Sequence, residues 1–285
     1  MCQNRKSRLL YERFIQGRDS DMMFKPYLAF AKKSFLNKSA YRFNHFMGIL
    51  NTLLRIFIFW GIYKALYGAR TEVDGVTMLM VTTNFILSIG LEAVFGINDF
   101  YLPQKIWSGT ITNELLLPVS FKGRMLADNF GNSLFQLIFH FTPALIVVVL
   151  AGGIAYPTGL INFFLFLVSA LLGYGVLWSI SYTVQMCSFW LVNVWSIVTI
   201  KNVFVNVLAG SMIPLWFMPG WMRGVMEFTP FSSIYFTPIQ IYLGELNPEE
   251  ILKKCVIQLV WIVLISLIGD GLWKKGRKKL VVQGG

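Results

Sequence analysis

The sequence predicts an all-α, polytopic membrane protein. Hydrophobic residues make up 55% of its 285 residues and charged residues only 14%, and its mean hydropathy is +0.59. Several apolar runs reach about twenty residues, enough for a helix that rises about 1.5 Å per residue to cross a hydrocarbon core about 30 Å thick. The alternating segments typical of a transmembrane β-barrel are absent. Because helices satisfy their own backbone hydrogen bonds in lipid, these runs are predicted to be helical spans.

Positive charge is concentrated at the two ends of the chain. Ten lysines and arginines precede the first apolar run and five follow the last one, within a net charge of +11. In a membrane protein this distribution reports orientation rather than nucleic-acid binding. The three cysteines are widely spaced and the two histidines have no second ligand nearby, so neither a disulfide framework nor a metal site is predicted.

The N-terminal region is predicted to lie outside the bilayer. Residues 1–23 form a polar leader that lacks the apolar core of a signal peptide, and disorder is one interpretation of it. In residues 24–45, apolar side chains such as Tyr27 and Phe35 recur with lysines between them. This pattern indicates an amphipathic helix at the cytoplasmic membrane interface. The alternative is a solvated basic helix packed on protein.

Six apolar runs are predicted to span the membrane, and a basic tail at residues 273–285 follows them. Pro143 interrupts the third run. In the fourth run, Ser169 and Gly173 are small residues four positions apart that allow close helix packing. The six runs are 46–67, 76–97, 127–150, 160–184, 195–215 and 251–272.

An ion pair is predicted inside the first two spans. Arg55 lies about a third of the way into the first span, and the second span contains one acid, Glu92, at a similar depth. Charges at this depth need a partner or water, so Arg55 and Glu92 are expected to pair. Two separate residues that face a water-filled cavity are the alternative.

Two segments between the spans differ from ordinary connecting loops. Residues 99–126 mix polar and apolar side chains between long hydrophobic runs, and residues 216–250 are aromatic and interrupted by prolines. The second segment is too broken for a span and fits a pair of short re-entrant or interfacial helices. We therefore predict a cytoplasmic transmission loop at 99–126 and an extracellular re-entrant region at 216–250.

The distribution of lysine and arginine predicts the orientation of the chain. Six spans return the chain to its starting side, and both termini are basic. The predicted cytoplasmic segments carry eighteen lysines and arginines, against two to four on the outer side. The positive-inside rule therefore places both termini in the cytoplasm, for a protein of the cell membrane.

The sequence lacks the motifs of a catalytic chain. It contains no Gly-x-x-x-x-Gly-Lys-Ser/Thr nucleotide loop, no Ser/His/Asp set on the outer side and no carboxylate pair within the spans for proton relay. We therefore expect no catalytic residue and no cofactor bound by this chain. A transport subunit driven by the chemistry of another chain fits this pattern better than an enzyme does.

Several motifs of loose hydrophobic pattern occur in a recognisable order. The segment Lys105-Ile-Trp-Ser-Gly-Thr-Ile-Thr-Asn-Glu-Leu-Leu-Leu-Pro-Val-Ser120 follows the second span, and Gly210-x-x-Ile-Pro-Leu-x-Phe-x-Pro219 follows the fifth. Pro230-Phe231 and the run Pro238–Gly244 come after them. In this order of elements, over about residues 24–279, the chain resembles the type-2 ABC transporter permeases.

The resemblance implies a half-transporter with an interfacial helix, a coupling helix after the second span and re-entrant helices before the last. It also implies a separate nucleotide-binding ATPase subunit, which would hold ATP and Mg, and a second permease subunit that is either identical or a sister chain. Most members of that family export hydrophobic drugs, peptides, lipids or glycans. Carried over by position, Pro103 to Pro118 would be the segment that enters a groove of the ATPase.

The residue pattern of this segment supports a docking role. Ile106, Ile111, Leu115 and Leu116 are expected to form an apolar ridge, and Lys105, Ser108, Thr112 and Glu114 are expected to stay in water. An ordinary amphipathic helix on the membrane surface is the alternative. The predicted coupling residues are Lys105, Ile106, Trp107, Ile111, Glu114, Leu115 and Leu116.

The aromatic region after the fifth span is predicted to form an extracellular gate. Tryptophan and tyrosine favour the membrane interface in any case, so for these aromatic residues interfacial anchoring is favoured over substrate contact. The predicted gate residues are Pro214, Trp216, Pro219, Trp221, Pro230, Phe231, Tyr235 and Pro238.

Two other classes of function remain open from the sequence. A secondary transporter would use an ion gradient, but Glu92 is the one acid predicted near the middle of a span and no inverted repeat is visible. A non-transporting membrane scaffold or immunity protein would show neither flux nor ATPase stimulation. The leading prediction is an ATP-driven exporter subunit.

Overall fold

The computed structural model of the chain describes residues 20–39, 42–73, 75–150 and 153–280, and these residues are mostly helical. Most of the predicted leader, 1–23, lies outside the described residues. The α-helices, in chain order, are α1 Ser20–Ser39, α2 Arg42–Tyr67, α3 Met78–Val94, α4 Tyr101–Trp107, α5 Ile111–Leu115, α6 Phe121–Gln136, α7 Thr142–Leu150, α8 Leu160–Met186, α9 Trp195–Leu208, α10 Gly220–Phe228, α11 Phe236–Leu243 and α12 Pro248–Gly276.

A short antiparallel hairpin joins α2 to α3. Its strands are β1 Glu72–Val73 and β2 Val76–Thr77, with Glu72 opposite Thr77 and Val73 opposite Val76. Thr77 then caps α3 by accepting a hydrogen bond from the backbone N–H of Met80 at 3.2 Å. The second apolar helix therefore starts later than the sequence predicts.

Four helical segments are long and apolar enough to cross a membrane. They are Phe46–Tyr67, Phe121–Leu150, Leu160–Phe189 and Pro248–Lys279. The third predicted span begins earlier than expected, at Phe121, because Ser120 caps the helix by accepting from the N–H of Gly123 at 3.1 Å.

The helices that match the second and fifth predicted spans are shorter than predicted. α3 has 17 residues and α9 has 14. At about 1.5 Å per residue, these helices reach roughly 26 and 21 Å, less than a hydrocarbon core of about 30 Å. α9 ends at Leu208 because the chain turns at Gly210, whose φ of +76° is a conformation that favours glycine.

A π-helical turn at Leu137–Phe141 joins α6 to α7. Pro143 has no N–H to donate to the preceding turn and its ring crowds that turn, so the helix widens there. The backbone N–H and the hydroxyl of Thr142 both donate to the carbonyl of Leu137, the hydroxyl at 2.8 Å. Pro143 thus widens the third span without ending it.

Helix α8 lies at the centre of the bundle and contacts α12, α11, α9 and α4. The predicted small-residue pair on α8 is used for close packing. A Cβ at Gly173 would lie 2.5 Å from the carbonyl oxygen of Ile234, and Ser169 donates to the buried Gln258 of α12 at 3.2 Å. Gln258 in turn donates to the Ser233 carbonyl at 2.8 Å, which ties α12 to the segment before α11.

Helix α1 lies along α6, with one face on protein and one face exposed. The backbone of Ala31 fits against Gly131, where there is no room for a Cβ. The other face exposes Phe24, Leu28 and Leu36. Helix α1 therefore packs on protein through one face, and the placement of its other face at the membrane interface stays a prediction. The helix is Ser20–Ser39, not 24–45, and α2 starts at Arg42.

Candidate functional site

The predicted coupling loop folds into two short helices that a buried carboxylate holds together. α4 and α5 are separated by a turn at Gly109, whose φ is +68°. Glu114, 7% exposed, accepts an ion pair from the Lys105 Nζ at 2.9 Å and a second one from Arg124 of α6. The Tyr101 hydroxyl donates to it at 3.4 Å. We call these four residues, Tyr101, Lys105, Glu114 and Arg124, the Glu114 clamp.

Burial also fixes the state of the tyrosine in the clamp. It raises the pKa of the Tyr101 hydroxyl above its ordinary value, so the group stays protonated and can donate to Glu114. Arg124 additionally lies over the ring of Phe30 at 4.5 Å from its centroid, which brings α1 into contact with the clamp. The clamp therefore joins α1, α4, α5 and α6.

Two of the predictions for the coupling loop are wrong, one for the apolar ridge and one for the solvent-exposed side. Glu114 was expected to stay in water, but it is buried in the clamp. Ile111 was expected on the apolar ridge, but it is 3% exposed and packs in a core cluster with Leu102 and Met125. Helix α5 has only five residues, so its inward side is formed by positions three apart, and these two residues occupy it.

The exposed apolar residues of the loop form a different ridge. Leu116 is 83% exposed, and Trp107, Leu115 and Leu117 are exposed too, whereas Ile106 is half-buried against the core. We call Trp107, Leu115, Leu116 and Leu117 the exposed ridge. Leu117 was not among the predicted coupling residues, although the run of three leucines before Pro118 was a signal for it.

The base of the exposed ridge is anchored to the centre of the bundle. The backbone N–H of Leu102, in α4, donates to the Oε1 of Gln185 at the end of α8, at 3.1 Å, and both residues are fully buried. On the other side, the Tyr27 hydroxyl of α1 accepts from the backbone N–H of Ser120 at 3.2 Å. These two hydrogen bonds join α4 to α8 and α1 to the start of α6.

A buried ion pair that the sequence analysis missed lies next to the coupling loop. The Lys201 Nζ of α9 is 2.6 Å from the Oδ2 of Asp99 and 3.1 Å from the Ser181 hydroxyl of α8. The Lys201 and Asp99 side chains are only 6% and 9% exposed. The signal was that Lys201 is the one strong charge between Leu160 and Pro219, so a buried partner had to exist.

The structure brings Arg55 and Glu92 together. The Arg55 Nη2 is 2.7 Å from the Glu92 Oε2, and their side chains are 42% and 29% exposed. They are neighbours of the apolar surface of α2, where Leu54, Phe57 and Ile58 are exposed. The pair therefore lies on the outside of this single chain rather than in its core.

A third ion pair joins α6 and α12, and a hydrogen bond links it to α8. The Lys122 Nζ of α6 is 2.8 Å from the Oδ2 of Asp270 in α12, and the Tyr182 hydroxyl of α8 donates to the other oxygen of Asp270 at 3.1 Å. Lys122 was counted in the charge distribution but had no predicted partner. The pair fixes α6 and α12 to α8 beside the coupling loop.

The predicted gate residues do not form a single surface. Trp221 on α10 is 76% exposed, whereas Tyr235 and Pro238 are buried where α11 packs on α8 and α3. Pro214 and Pro219 precede the short helices Leu215–Phe217 and α10, a position that suits proline. Phe231, which follows Pro230, stacks on Phe204 of α9.

Trp216 lines a polar cavity of about 380 Å³ beside the hairpin. Its indole N–H donates to the Glu245 carboxylate at 3.1 Å, and the Gln240 amide donates to the same oxygen at 3.3 Å. Burial raises the pKa of Glu245, while these two hydrogen bonds lower it. Trp216 therefore orders this loop through a polar contact as well as through its ring.

A comparison with protein-family models matched this chain, and a comparison with curated proteins found no match. The family model described as "ABC-2 family transporter protein" matches residues 49–284, which includes the coupling loop and all helices from α3 to α12 but excludes α1. Members of this family are membrane subunits of transporters and are not themselves catalytic. The chain belongs to the ABC-2 family of transporter proteins and is a multi-pass membrane protein.

Proposed function

We propose that this chain is the permease subunit of an ATP-driven exporter. A separate nucleotide-binding subunit would bind ATP and Mg and dock on the coupling loop, and the permease would move a hydrophobic or amphipathic substrate outward. Drugs, peptides, lipids and glycans are the substrate classes that fit. The observation that carries the proposal is the exposed ridge at Trp107 and Leu115–Leu117, held by the buried Glu114 clamp.

The exposed ridge suits a protein partner. Large apolar side chains that remain in water are unfavourable, and a cluster of them on a loop marks a surface that another molecule covers. The clamp fixes the loop before docking, so little conformational entropy is lost on binding. The hydrogen bond from Leu102 to Gln185 gives the docked loop a mechanical connection to α8.

The surface of α2 supports a second permease subunit, identical or a sister chain. Little of α2 is buried within this chain, whereas α8 is the most buried of the four long apolar helices of the described residues. Charges at membrane depth face protein or water rather than lipid. The half-exposed Arg55–Glu92 pair on this surface therefore fits a subunit interface or a water-filled pathway next to it.

The proposed topology has six spans, with the shorter α3 and α9 as the second and fifth. Both termini would be cytoplasmic, with the coupling loop on the same side, in the cell membrane. The bias of lysine and arginine supports this orientation. A short helix can cross where neighbouring helices and local bilayer thinning compensate for its length. Segment 216–250, with α10 and α11, would be the extracellular re-entrant region.

Leu116→Asp is expected to release the ATPase subunit. The change places a charge at the most exposed position of the ridge, and docking would remove this charge from water. Disrupting a residue at the centre of an interface lowers the affinity of the complex at least roughly tenfold. Leu115→Asp should act in the same way. The measurement is the amount of ATPase that co-purifies with the tagged permease from membranes.

Asn113→Asp is the matched control for this prediction. It adds the same charge to α5, three positions before Leu116, at an exposed position outside the ridge. It should leave co-purification within about twofold of the original protein. Ile111→Asp is unsuitable because Ile111 is buried and its replacement would unfold the loop. Transport that persists without any ATPase, and that stops on addition of an uncoupler, would overturn the proposal in favour of a secondary transporter.

A further inference from the structure

A groove of about 800 Å³ opens between α1, α6 and α8. Its volume falls within the range of about 300–1,000 Å³ that is usual for small-ligand sites. Most of the side chains that line it are apolar, and none of the described ones is acidic. The lining residues are Phe24, Lys25, Tyr27, Leu28, Ala31, Gly123, Leu126, Ala127, Phe130, Leu171, Tyr174 and Gly175.

The walls of the groove carry large exposed apolar side chains. Leu28 of α1 is 71% exposed and Leu171 of α8 is 60% exposed, and Phe130 lies between them on α6. In a multi-pass membrane protein such side chains face hydrocarbon. Because the surface is concave, whatever fills it is held by three helices rather than by one.

The groove is preformed and runs along α6. The Tyr27 hydroxyl and the Ser120 hydroxyl are 3.1 Å apart, and this contact fixes α1 against the start of α6. From Gly123 to Phe130 the lining residues of α6 rise by about 10 Å, a third of a hydrocarbon core of about 30 Å. This length fits the part of an acyl chain next to the head group, for a lipid whose head group lies on the side of the coupling loop.

Charge identifies the head group. Lys25 lines the groove, and the exposed face of α1 carries a second lysine, Lys32, that does not line it. A lysine at the end of an apolar groove, none of whose described lining residues is acidic, complements the phosphate of an anionic lipid. A zwitterionic lipid would also bring a cationic group close to Lys25.

We propose that this groove binds one acyl chain of an anionic phospholipid, with Lys25 at the phosphate. The site itself does not depend on the proposed exporter function. The proposed topology, with the coupling loop in the cytoplasm, would place the bound lipid in the inner leaflet. The bound lipid would stabilise α1 on α6, and α1 also contacts the Glu114 clamp through Phe30 and Arg124.

The test uses the purified full-length protein, depleted of lipid and titrated with phosphatidylglycerol or phosphatidylcholine that have the same chains. Native mass spectrometry measures the lipid bound per protein chain. We expect one phosphatidylglycerol to bind more tightly than phosphatidylcholine. Lys25→Gln should weaken phosphatidylglycerol about fivefold, the value for one lysine near an anionic lipid, and leave phosphatidylcholine unchanged.

Two matched controls separate the site from the general surface. Lys32→Gln removes the same charge from the same helix and should have little effect on lipid binding. Leu171→Trp fills the groove and should weaken both lipids, whereas Phe164→Trp, exposed on the same helix outside the groove, should weaken neither. Equal binding of the two lipids, equal effects of Lys25→Gln and Lys32→Gln, or full lipid binding by Leu171→Trp would each overturn the proposal.

Discussion

Replacing Lys201 with methionine should lower the melting temperature of the purified protein by roughly 10 °C. The change leaves the Asp99 carboxylate buried without its cation, and breaking a buried ion pair from one side costs about 3–5 kcal/mol. For a chain of this size each kcal/mol corresponds to roughly 2–4 °C. Thermal unfolding followed by intrinsic fluorescence in detergent would measure the shift.

The pair offers a direct internal control. Asp99→Asn should be similarly destabilising because it leaves the Lys201 ammonium uncompensated, and the double variant Asp99→Asn/Lys201→Met should lose less than the sum of the two. Asn202→Met introduces the same side chain at the next, exposed position of α9 and should have little effect. Strictly additive losses would show that the two side chains do not interact.

The Lys201–Asp99 pair lies where its loss is also expected to affect function. Asp99 comes directly before α4, and Lys201 and Ser181 belong to α9 and α8. The pair therefore connects the start of the proposed coupling loop to two helices of the bundle. In the exporter proposal, a Lys201→Met protein that still folds should retain ATPase binding and lose part of the coupling of ATP hydrolysis to transport.

Glu114→Gln should loosen helix α5 within the coupling loop. The amide keeps the shape of the side chain but removes the charge that faces Lys105 and Arg124. Lys105 is partly exposed and can turn to water, so we expect a loss of about 3 kcal/mol, at the lower end for a broken buried pair. The melting temperature should fall by roughly 6–12 °C.

The same variant should weaken ATPase docking, although Glu114 does not touch the partner. Without the clamp, α5 no longer holds Leu115 and Leu116 in a fixed position, and ordering them again on binding lowers the affinity. Glu249→Gln removes the same charge from an exposed position in the first turn of α12 and is the matched control. A Glu114→Gln protein that is destabilised but retains full co-purification of the ATPase would contradict this role for the clamp.

The sequence alone was sufficient for the class of fold and for the family. Spanning segments are recognised from hydropathy because lipid cannot satisfy backbone polar groups, so each long apolar run must be helical. The resemblance to type-2 ABC permeases rested on the order of loose motifs, and the family match over residues 49–284 confirms it. The pairing of Arg55 with Glu92 could be predicted because both residues lie at a similar depth in adjacent spans.

Only the tertiary structure shows which side chains of the short helices are buried and which are exposed. Periodicity could not tell that Ile111 and Glu114 face inward in a helix of one turn, because a five-residue helix has no long hydrophobic stripe to read. It could not find the partner of Lys201 either, since Asp99 is 102 positions away in the chain. Only the packing of both α4 and α9 on α8 brings the two side chains together. Composition and hydropathy determined where the chain meets lipid, whereas contacts between helices distant in sequence determined which charges are buried, which leucines stay exposed and where α1 leaves a groove.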